Sequence, residues 1–382
     1  MKKTVWIRFF KALLLVVPIV FFIFFMQNHL MYFDDYNTFR LNDFYKEPPH
    51  SLDVVFIGAS DVFAAFSPVH AYAQAGITSF PYCSDGLPSS LYLPALKEVL
   101  SRQSPQLIIV EIQGFLKSDS FSETSLRRLV ENIPFSRNKL ETILRDPFED
   151  KLSCLVPFFK YHGDWQLTTE EISEYFSDRA RKRQPSPSRL KGCVTQSAMN
   201  TKSTLYPDAD DDTRLELHPD AHEHLLEFLD YCTVHGLDNV VFTRFPQTID
   251  TDFDYRRFVR ANEAGCIIED HGFQFLHLNR LTEDISLDAT FDQYNSDHLN
   301  ISGQLKLTEY LTYWITDEYG LLPMEQTEEN AQFWEDCIPY AEACAEIAME
   351  YWENGLPKWF YEKPSTFELL DERIASWYAG GL

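Results

Sequence analysis

Two residues far apart in the chain stand in settings that could do chemistry, Ser60 and His298. Ser60 ends DVVFIGAS (53–60), an apolar run closed by a glycine and followed by the helix-compatible VFAAFSPVHAYAQAG. That pattern puts the serine at a helix start, just past the carboxyl end of a strand. Serine is a preferred helix cap. At the same place the helix N–H groups and dipole favour negative charge, as a nucleophile attacking a carbonyl requires. A serine hydroxyl stays a weak nucleophile until a base takes its proton. His298, in the polar stretch DQYNSDHLNISG (292–303), supplies a candidate base. The bland alternatives are a cap for Ser60 and a structural hydrogen bond for His298.

The elements that must position them alternate. Strand-length apolar runs occur at 52–58, 77–83, 106–112, 239–245 and 273–278. Helical spacing fills the intervals, as in LYLPALKEVLSRQ, HEHLLEFLDYCTVHGLD and DYRRFVRANEAGCIIEDHG, and a last helix is expected over SGQLKLTEYLTYWITDEYG with Ser302 as its cap. Strands alternating with helices predict an α/β fold with a mainly parallel five-stranded sheet covered on both faces. Open sheets of this kind bind ligands at the carboxyl ends of their strands, so Ser60 and the 292–303 loop fall on one edge. Residues 115–205 break the alternation and read as a helical insertion. The expected division is an anchor at 1–33, a linker at 34–50, an α/β domain at 51–320 with that insertion, and an acidic helical extension at 321–382.

The amino terminus reads separately. Lys2, Lys3, Arg8 and Lys11 precede the uncharged run ALLLVVPIVFFIFFM, and no acid occurs before Asp34. The apolar block over 5–30 is long enough to span a bilayer. Basic residues on its amino-terminal side predict a cytoplasmic terminus with the main domain outside. No small-x-small cleavage site follows, which favours an uncleaved anchor over a signal peptide. The net charge of −25 argues against nucleic acid as a partner. None of the seven cysteines forms a Cys-x-x-Cys pair, which gives a zinc or thioredoxin-like site little support. Export permits disulfides, but buried free thiols are expected for most.

The series FIGASDV, SDGLPSS, LIIVEIQGF and NSDHLNISG resembles the SGNH (GDSL-like) hydrolase superfamily, in particular its membrane-anchored branch of D-alanyl-lipoteichoic-acid transfer proteins. The similarity covers roughly 50–318, with the anchor from residue 5. It implies a flavodoxin-like three-layer α/β/α fold and ester chemistry outside the membrane. Ser60 then matches the nucleophile and His298 the base. Gly86 matches the glycine whose N–H joins that of Ser60 in the oxyanion hole. Where the family presents an Asn to the oxyanion this chain has Gln113, a substitute donor. The family's acid three residues before the histidine is Asn295 here, which accepts a hydrogen bond but cannot stabilise an imidazolium as a carboxylate does. Asp297 and Asp292 are alternative acids.

The resemblance points to an esterase or acyl transferase acting on an acylated cell-envelope glycan or teichoic acid, beside a membrane acyl-transfer partner, with no cofactor and no metal. The weakened acid position keeps a second class open, an inactive scaffold or glycan-binding protein on the same fold. Lesser features are YHGDW (161–165), a lid or a plain loop, and DADDD (208–212). The latter has calcium-like spacing but lacks the glycine and Glu of such loops and reads as a solvated turn. Glu111 reads as structural, and the aromatic tail as a packing helix.

Overall fold

The computed structural model describes residues 2–29, 36–117, 122–161, 188–196, 205–353 and 359–360. YHGDW falls outside them from His162 onward.

Five parallel strands form the central sheet: β1 (Val54–Gly58), β2 (Ser79–Cys83), β3 (Leu107–Glu111), β5 (Val240–Arg244) and β6 (Gln274–His277), in the order β2-β1-β3-β5-β6. The apolar runs become central strands because β-branched and aromatic side chains fill both faces. Successive β1 residues alternate between two cores. Val55 and Ile57 join a cluster with Leu96, Leu225 and Phe228. Val54 and Phe56 join another with Phe63, Leu307 and Leu311. The first core lies under α5 (Tyr92–Arg102) and α10 (Pro219–His235), the second under α3 (Ser60–Ala65) and α12 (Ile301–Tyr313). The protein is thus a three-layer α/β/α sandwich of flavodoxin-like order. The chain leaves β1 for β2 on one side and returns to β3 on the other. The carboxyl end of β1 is therefore the switch point where such sheets open a crevice.

Helix α1 (Lys2–His29) is one apolar helix whose stretch Val5–Ile23 is long enough to cross a membrane and is left unburied by the described residues. Of the expected linker, residues 36–50 are packed on the body. Helix α2 (Tyr36–Phe44) buries Phe39, Leu41 and Phe44 and stacks the Arg40 guanidinium 3.6 Å from the centre of the Phe63 ring. Helix α4 (Pro68–Ala75) follows α3. The insertion is helical in its first part, as α6 (Glu123–Val130), α7 (Arg137–Arg145), α8 (Lys151–Leu155) and α9 (Phe158–Tyr161), but not over 188–196. Near its end it holds the short strand β4 (Thr195–Gln196), which pairs with β9 (Trp359–Phe360).

Helix α11 (Asp252–Asp270) connects β5 to β6 and starts with a capping box between Thr251 and Asp254. Helix α13 (Glu328–Glu353) of the extension packs into the body, with Trp334 fully buried and stacked on Tyr72 at 5.1 Å. The described cysteines are free thiols, buried except for the half-buried Cys266.

Candidate active site

The end of β1 is built for close approach. A Cβ on Gly58 would lie 2.7 Å from Val62 and 2.9 Å from the Glu111 side chain. Only glycine lets the chain turn there into α3. Ser60 is the first residue of that helix, and Ala59 occupies the cap position. The Ser60 side chain does not cap, which corrects the capping reading. Its Oγ lies 2.8 Å from Nε2 of His298, 238 positions away.

His298 reaches Ser60 because the hairpin of β7 (Gln293–Asn295) and β8 (His298–Leu299) is pinned at both ends. After it, Asn300 caps α12, accepting from the Ser302 and Gly303 N–H groups at 3.0 and 3.2 Å. Asn300, not Ser302, is therefore the cap. Gln304 on α12 donates to the Ala64 carbonyl of α3 at 2.9 Å. The helix that starts at Asn300 is thereby locked to the helix that starts at Ser60.

Asn295 Oδ1 lies 2.9 Å from His298 Nδ1. That oxygen also accepts the Asp297 backbone N–H at 2.9 Å, which fixes it as an acceptor. The ring must then carry its proton on Nδ1, leaving the Nε2 lone pair toward the serine hydroxyl. Partial burial holds the imidazole pKa below its ordinary 6.5, against the pull of Asp297 and Asp61. Other serine–histidine contacts exist, Ser67–His70 at 2.7 Å and Ser89–His224 at 2.9 Å. Among the described residues, only His298 has side-chain partners at both ring nitrogens.

Asp297 does not bond the ring. It pairs with the buried Arg257 at 2.6 Å, and although burial opposes ionisation, that pairing lowers its pKa to about 2. Asp292 is also excluded as the orienting acid, since it is buried against Lys306 at 2.7 Å. Gly86 lies in a turn after β2 with φ 62°, a left-handed conformation that suits glycine. The Ser84 carbonyl accepts the Leu87 N–H at 3.2 Å, and Asn37 of α2 accepts the Asp85 N–H at 2.9 Å.

Gln113 follows β3, is buried, and donates its backbone N–H to Glu111 at 2.8 Å. Its Oε1 accepts from Arg244 Nη1 at 3.2 Å and, at short range, from Gln247 Nε2. Arg244 also pairs with Glu111 at 2.9 Å and lies 3.6 Å from Asp61. Burial first, and the neighbouring Glu111 second, raise the Asp61 carboxyl well above its ordinary range. Lys117 is partly buried in the same field, and its pKa is lowered by burial.

Glu111 is thus a structural ion-pair partner, as read from its strand. Arg244, Gln247 and Lys117 were not identified from the sequence. The available signal was Arg244 itself, a cation in the otherwise apolar run NVVFTRF. Of the acidic turn 208–212, Asp212 pairs with Arg280 at 2.9 Å and Asp211 accepts from Tyr255 at 2.9 Å. Among the described residues no group of three or more metal-ligating side chains gathers there or elsewhere.

The arrangement can remove a proton from a serine hydroxyl at the switch point of an open sheet. Compared with the known protein families and with curated proteins, the chain matches none.

Proposed function

We propose that the protein is an SGNH-type serine esterase or acyl transferase, anchored in the membrane by α1 and working outside it on acyl esters of a cell-envelope glycan or teichoic acid. The observation behind this reading is the continuous chain Ser60 Oγ, His298 and Asn295 Oδ1, at 2.8 and 2.9 Å. Ser60 Oγ attacks the acyl carbon while His298 Nε2 takes the hydroxyl proton. The carbonyl oxygen becomes an oxyanion, met by the N–H groups of Ser60 and Gly86 and by the Gln113 amide. Collapse breaks the ester C–O bond, and His298 returns the proton to the leaving oxygen. A water or an acceptor hydroxyl then attacks the acyl-serine, losing its proton to His298, and Ser60 leaves as the hydroxyl. Lys2, Lys3, Arg8 and Lys11 support a cytoplasmic amino terminus.

The test is labelling of the full chain in detergent by a fluorophosphonate, which phosphonylates an activated serine. Wild type should label and Ser60→Ala should not. Equal labelling of both would overturn the assignment. A second reading, a scaffold with residual or no turnover, is favoured by one observation: the carboxylate nearest His298 in the chain, Asp297, is committed to Arg257. An intact fold that binds acylated glycan but shows neither labelling nor ester turnover would select it.

A further inference from the structure

We propose that Gln247, backed by Arg244, is a positioning residue that fixes the Gln113 side-chain amide with its N–H groups toward the reacting carbonyl. The inference rests on the esterase reading and assigns a role to a loop outside the catalytic pair. An amide presents an acceptor at one end and donors at the other, so an oxyanion is stabilised in only one of its two orientations. Gln113 Oε1 is occupied by two donors, Arg244 Nη1 and Gln247 Nε2. Its Nε2 has no hydrogen-bond partner among the described residues and is not sealed in the interior.

The clamp is itself held. Gln247 Oε1 accepts from Arg244 Nη2, which orients the Gln247 amide so that its Nε2 faces Gln113. The Gln247 backbone N–H donates to Asn279 Oδ1 at 2.5 Å, and Asn279 Nδ2 donates back to the Gln247 carbonyl at 3.0 Å. Next in the chain, the Thr248 N–H donates to the Ser296 carbonyl at 3.1 Å, inside the hairpin that carries His298. Glu111 pairs with the buried guanidinium at 2.9 Å. Arg244 and Gln247 therefore form a rigid relay from the β5 end to the amide. The arrangement is a device for preorganised stabilisation, which loses its value when the donor must reorient during reaction.

Gln247→Glu separates orientation from packing. A carboxylate still accepts from Arg244 but cannot donate to Gln113, and it attracts the Gln113 N–H groups instead. The amide then turns and presents its oxygen to the reaction. With p-nitrophenyl acetate as probe substrate and the full chain in detergent, Gln247→Glu should lower kcat roughly 10- to 100-fold with KM within about twofold. Gln113→Ala should lose about 10²-fold or more, and adding Gln247→Glu to it should cost nothing further, since Gln247 acts only through Gln113. Independent, additive losses, or an unchanged kcat in Gln247→Glu, would overturn the inference while leaving the esterase reading intact. If Gln247→Glu does not fold by circular dichroism, Gln247→Met tests the same loss of the clamp in a volume-conserving form. Absence of wild-type turnover and of Ser60-dependent labelling would fail the esterase reading, and the inference with it.

Discussion

Asn295 sets the strength of the proposed base. Its oxygen aligns the imidazole but brings no charge to the imidazolium that forms in the transition state. Asn295→Asp keeps both acceptor contacts and adds that charge, so kcat for p-nitrophenyl acetate should rise by about tenfold or more. An unchanged or lower rate would show that the orienting residue does not limit turnover. The pH dependence follows from burial of His298. A general base acts as neutral imidazole, and burial disfavours the charged form. Then kcat/KM should climb as pH rises through a value below 6.5 and level off above it. An acid limb centred at or above 6.5 would contradict this, and Asn295→Asp should move the limb upward. At this scale Ser60, His298 and Asn295 were legible because their residue types and places past strand ends narrow what they can do. Arg244 and Gln247 were not, since their role depends on a contact with Gln113 made 131 and 134 positions away.

Helix α12 fixes where His298 can stand, and its cap is the point to probe. Asn300→Ala removes the acceptor of two N–H groups and should cost about 1 kcal/mol by denaturant unfolding, with a lower kcat. Ser302→Ala should stay within about 0.5 kcal/mol, as for a surface change away from such features. The reverse order would return the cap to Ser302. The sheet strands were legible to within two residues because continuous apolar runs of this length, punctuated by glycine and polar turns, fit few other elements. Helix α2 was missed for a physical reason. It is short, and what holds it is nonlocal: Arg40 over Phe63, the Arg40 bond to the Cys83 carbonyl at 2.5 Å, and Asn37 on Asp85. No local spacing announces such contacts.

Across the whole molecule, one buried ion pair joins three regions that the sequence presents as separate. Lys191, from the last part of the insertion, bonds Glu47 at 3.0 Å with both side chains fully buried, and its ammonium lies 4.2 Å from the Trp334 ring of α13. Removing one partner leaves a buried charge, so Lys191→Met should destabilise by about 3–5 kcal/mol, read as a large fall in Tm. A small change would mean that linker, insertion and extension are packed together by apolar contacts alone. The division into anchor, α/β body and extension followed composition, but this joining of them could not be read from it. The distance in sequence between Ser60 and His298 has a consequence in time. At about 5–20 residues per second of synthesis, the 238 intervening positions delay the histidine by roughly 12–50 s. Throughout that interval the serine hydroxyl exists without its base. On the proposed reading a growing or prematurely ended chain is chemically silent, and reactivity arrives only after all five strands of the sheet have been made.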